Sequence, residues 1–131
     1  MDRPTFYKQR IEIVHAQNGE WTSQLNLNLD ELTIYQNKLD EIKINKIDKN
    51  KEDDLNSLYE KIHLKRKEIE HLLLRIKANE NEAVYSGQVH TRRISYEASD
   101  EYSEIEHELE QFILSFKDLK NDFLKFLNND S

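Results

Sequence analysis

The chain has 131 residues, the length of one domain. It holds 2 Gly and 1 Pro, where average composition would supply roughly 15 such residues. That scarcity excludes folds built on many tight turns, since turns need residues that reach positive φ or preset it. Charged residues make up 34% and hydrophobic residues 37%, with a net charge of −7. This composition and charge fit an acidic helical bundle that repels nucleic-acid phosphates and anionic lipid.

The acidic excess is concentrated on residues 100–131. With no Cys, disulfides, thiolate metal sites and a cysteine nucleophile are excluded. The start, MDRPTFYKQRIEIV, lacks the apolar core of a signal peptide. The longest uncharged runs, Trp21–Leu29 and Ala83–Thr91, are nine residues each, against about 20 for a membrane-spanning helix. The expectation is a cytoplasmic protein with neither a nucleic-acid nor a membrane partner and with no cofactor.

In chain order, residues 1–18 come first. Phe6, Tyr7, Ile11 and Val14 suit a short helical segment or arm that stops at Gly19, a natural residue for a helix C-terminus. The competing reading is that Val14, Asn18, Trp21 and Leu25 continue the next stripe, with Gly19 costing about 1 kcal/mol inside it. The spacing is read here as a break. A long helix over 20–49 carries Trp21, Leu25, Leu29, Leu32, Tyr35, Leu39 and Ile42, with Trp21 as a plug at the helix end. The polar run KIDKNKEDD connects it to a helix over 52–81.

That second helix repeats Leu55, Ile62, Ile69 and Ile76 every seven residues, with Leu58, Leu72 and Leu73 beside them. Lys65 occupies an inward position and is expected to carry its ammonium to the rim. Residues 84–98, VYSGQVHTRRISYEA, show no clear period and are predicted to form a long connecting loop. A third helix over 99–128 carries Tyr102, Ile105, Leu109, Phe112, Phe116, Leu119, Phe123 and Phe126 in unbroken 3-4 spacing. Ser99 is its predicted N-cap. The whole predicts one all-α domain over 1–131, an antiparallel up-down-up bundle of three long helices. In that arrangement Arg75 and Lys77 would lie near Glu104 and Glu108.

The stretches GEWTSQLNLNLDELTIYQNKLDEI, EIEHLLLRIKANE and FKDLKNDFLKFLNN resemble a family of small helical bacterial proteins without an assigned activity. The resemblance covers most of residues 19–128. It implies a helical fold and carries over no functional residue.

Two patterns bear on chemistry. Four of the 5 His have a Glu three positions earlier: Glu12/His15, Glu60/His63, Glu68/His71 and Glu104/His107. Such pairs share a helix face, and on inward faces they build carboxylate–histidine di-iron sites. Here the heptad register turns Glu60, His63, Glu68, His71, Glu104 and His107 away from the seam, so surface pairing is the favoured reading and a metal site the alternative. Arg92 and Arg93, with His90 and Tyr96 nearby, form a basic cluster that could clamp an anion or phosphopeptide bidentately. No Ser-His-Asp set, Gly-rich phosphate loop or zinc-ligand spacing is present. The expected function is therefore a non-enzymatic helical module that acts through protein–protein association, with a homodimer plausible.

Overall fold

The computed structural model describes the backbone of residues 3–45, 49–89 and 92–129, and the side chains of 12–45, 49–81 and 101–128. It is all-helical: α1 (Arg3–Ile44), α2 (Lys49–Val89) and α3 (Arg92–Asn129), with no strand among the described residues. At 1.5 Å per residue, the 42 residues of α1 make a rod about 63 Å long. Among the described residues no helix is long and apolar enough to cross a membrane.

Three boundaries differ from the sequence reading. The first is that α1 runs straight through Gly19, so residues 3–18 are its opening turns and Trp21 lies well inside it, not at its end. Val14 and Asn18 are buried, and their packing outweighs the cost of one mid-helix glycine.

The second concerns the α1–α2 connection. Helix α1 stops at Ile44 instead of reaching 49, and α2 begins at Lys49, ahead of 52. Asn45 closes α1 by sharing its N–H between the Glu41 and Ile42 carbonyls, each at 3.2 Å, a bifurcated arrangement common at helix ends.

The third is the predicted loop 84–98. It is helical up to Val89 and again from Arg92, which places Ser99 inside α3 and not at its cap. That segment contains no Pro, and one glycine is tolerated in a long helix. Its missing apolar period bears on what its side chains pack against, not on whether the backbone coils.

The core follows the 3-4 spacing on all three helices. Leu25, Leu32 and Leu39 from α1, Ile62 and Ile69 from α2, and Ile105 from α3 are fully enclosed, and Phe112, Phe116, Phe123 and Phe126 are buried with them. Burying each such side chain contributes about 1.5–3 kcal/mol. Trp21, Leu29, Tyr59, Leu73 and Leu127 pack around this cluster. In α1 the inward stripe admits Asn18 and Asn28, while Ile13, Leu27 and Ile34 point outward.

Side-chain pairs set the helices against one another. Between α1 and α2, His15 meets Glu80, Asn18 meets Asn79, Thr33 meets Arg66 and Asp40 meets Tyr59. Between α2 and α3, Lys61 meets Asp122, Lys65 meets Ser115, and Arg75 meets Glu101. Helices α1 and α3 meet through rings. Trp21 lies 4.8 Å from Tyr102, and Tyr35 stacks on Phe123 at 4.4 Å.

Candidate interaction surface

Three regions concentrate polar or exposed apolar side chains. The first is a polar layer between α1 and α2. Asn18 and Asn79 fall on the inward stripe in place of apolar residues, and both are buried. Asn18 Nδ2 donates to Asn79 Oδ1 at 3.2 Å and to Glu80 Oε2 at 3.0 Å, and His15 Nδ1 pairs with Glu80. Among the described residues Asn18 Oδ1 has no hydrogen-bond partner. Beside this layer a hollow of about 460 Å³ is lined by Gly19, Thr22, Asn26, Leu73, Ile76 and Lys77, among others. Lys77 therefore lies on the α1 side of α2, not near Glu104 and Glu108 as its sequence position suggested. Buried asparagines facing each other at stripe positions fix the register of neighbouring helices, because any slip leaves a carboxamide against hydrocarbon.

The second region is the α2–α3 groove. Arg75 gathers three carboxylates: Glu101 (2.8 Å), Glu104 (3.2 Å) and Glu108. Burial pulls its pKa down, but hydrogen bonds and charge from Glu101 and Glu108 outweigh this and leave it raised. Lys65 carries its ammonium to the rim as expected, donating to Glu68 and to Ser115 Oγ at 2.8 Å while lying over the Phe112 ring.

The six candidate metal residues are all exposed. Glu68, His71 and His107 line one hollow of about 450 Å³ with Lys65 and Glu108, while Glu60, His63 and Glu104 lie outside it. Lys65 and Arg75 already hold that hollow's two carboxylates. Among the described residues no three His, Asp or Glu side chains are grouped to hold a metal ion. Of the candidate anion cluster, Arg92, Arg93 and Tyr96 belong to the first turns of α3. Their side chains, and His90 altogether, lie outside the described residues.

The third region lies off the core stripes, so the 3-4 spacing does not reveal it. The polar contacts to α2 come from one flank of α3 (Glu101, Glu108, Ser115, Asp122) and one flank of α1 (His15, Thr33, Asp40). The opposite flanks form the two banks of the α1–α3 groove. They carry Leu27 (58% exposed) and Ile34 (64%) on α1, with Ile113 (50%) and Leu124 (46%) on α3. Leu27 sits between the Trp21–Tyr102 and Tyr35–Phe123 ring pairs, which levels it with the turn of α3 around Ile113. The signal in the sequence was a second, weaker seven-residue spacing, Ile13, Leu27 and Ile34, offset by one from the core stripe.

At one end of this groove burial raises the Tyr102 pKa, reinforced by the charges of Glu106 on α3 and Glu20 on α1. Both banks are therefore acidic there. Searches against protein-family models, curated proteins and solved structures found no match to this chain.

Proposed function

We propose that this chain is a non-enzymatic helical module that works by protein–protein association, folded as an up-down-up bundle. The topology is supported by the pairs across each seam. Early α1 residues meet late α2 residues, and early α3 residues meet late α2 residues, whereas Trp21 and Tyr35 meet α3 in ascending order. The association reading is carried by one observation: large apolar side chains on both banks of the α1–α3 groove, 46–64% exposed and at matching heights. Single exposed leucines are ordinary, but rows of them on neighbouring helices, rimmed by charge, mark contact surfaces.

The test is a photo-crosslinking residue in place of Leu27 or Ile113, in cells, with Lys67 on α2 as the exposed control position. Protein adducts at 27 and 113 well above those at 67 are expected. Equal yields at all three positions would remove the assignment of this face.

A further inference from the structure

We propose that the partner on the α1–α3 face is a second copy of this chain, docked in the opposite direction about a two-fold axis at Ile113. The inference rests on the association reading and adds the partner's identity, its direction and its register.

The outer flank of α3 carries Glu106 and Glu110 on one side of Ile113, and Lys117 and Lys120 on the other. Within one chain this order is unfavourable. The two glutamates are four apart and the two lysines three apart, so like charges stand together on the helix surface. All four are exposed, and none has an ion-pair partner among the described residues. Contrast the flank facing α2, where Arg75 pairs with Glu101, Glu104 and Glu108.

Turning α3 end for end about Ile113 changes every one of these relations. Glu110 then faces Lys117 of the other copy, Glu106 faces Lys120, and Ile113 faces itself. Symmetry repeats both ion pairs, giving a closed isologous contact. Leu27 and Ile34 of α1 and Leu124 of α3 lie on the same face, so apolar area accompanies the charges. Docking in the same direction would set glutamate against glutamate and lysine against lysine. The charge order thus selects both a self-complementary partner and one orientation.

The test uses light scattering on the whole chain and on two charge-reversed variants, Glu106→Lys/Glu110→Lys and Lys117→Glu/Lys120→Glu. The expected species for the unaltered chain is a dimer of twice 15.8 kDa. Each variant alone should dimerise about tenfold more weakly or worse, since four facing pairs turn repulsive. An equimolar mixture of the two variants should restore a dimer, because every facing pair is then opposite in sign. Circular dichroism establishes that each variant is helical.

A second measurement needs no charge change. Ile113→Cys introduces the chain's first cysteine, and a short bis-maleimide should join two copies there but not at a Leu74→Cys control. An unaltered chain that is monomeric at every concentration, a dimer indifferent to both reversals, or a mixture that fails to recover would each overturn the proposal. If the monomeric chain still gives photo-adducts to other proteins at 27 and 113, the association reading survives without this partner. If it gives none, both fall.

Discussion

Gly19 shows how much one residue's setting decides. In isolation it is a stop signal, and the sequence places it where a stop is reasonable. The structure keeps it inside α1, at the edge of the hollow beside Asn18, with nothing within 4 Å of where a Cβ would stand. The backbone there is ordinary helix, so the glycine contributes only its cost. Gly19→Ala should therefore stabilise the protein by about 0.5–1 kcal/mol, read as a rise in thermal midpoint. A fall would mean that α1 is not continuous at this point. Buried Val14 and Asn18 decide the matter, for they continue the α1 stripe through Gly19, as the competing reading of the spacing had it.

At the scale of an element, α3 carries its charge differently on its two flanks. Toward α2, Glu101, Glu104 and Glu108 converge on the single cation Arg75, whose side chain is 18% exposed. Arg75→Ala should cost about 2 kcal/mol, less than the loss of one partner from a fully buried pair because this network is half open to water. Arg75→Lys should recover only part of it, since an ammonium cannot present the forked donors that serve several carboxylates. Denaturant titration of the three proteins checks the order.

The phenylalanine stripe of α3 was legible from spacing alone, because a 3-4 repeat sustained through this helix leaves one face to bury. The association of Arg75 with the glutamates was legible too, whereas Lys77 was misplaced. A heptad letter fixes which side of the seam a residue flanks only once the neighbouring helices are placed. The helical nature of 84–89 and 92–98 was not legible, since periodicity reports packing and these residues lack it.

For the molecule as a whole, two tyrosines tie stability to alkaline pH. Burial raises the Tyr35 hydroxyl to about 12, helped by the charge of Glu31 and a hydrogen bond to it. Burial does the same for Tyr59, together with its hydrogen bond to Asp40 and that residue's charge. A phenol whose pKa is raised on folding stabilises the folded state below the unfolded value of about 10 and loses that contribution as pH climbs through about 12. The protein should accordingly weaken between pH 10 and 12, and Tyr35→Phe with Tyr59→Phe should flatten that loss. Ultraviolet absorbance of tyrosinate, followed beside helix content, checks this. Simultaneous ionisation of all 6 tyrosines near pH 10 in the folded chain would contradict it.

The accessible surface of 9086 Å² exceeds the roughly 7,300 Å² of a compact monomer of this mass. Three long rods enclose little for the length they cover. Composition alone does not say where uncovered apolar surface falls.

The meeting of three glutamates on Arg75 gives the response to ionic strength an address. Added salt screens half-exposed charges strongly and stacked hydrocarbon hardly at all. Raising it should slacken the α2–α3 contact most near Glu101, where three carboxylates meet Arg75, and less near Phe123, where Lys61–Asp122 is one pair beside buried rings. The bundle would then fray from one end, like a rope whose whipping has been cut, instead of loosening along its length.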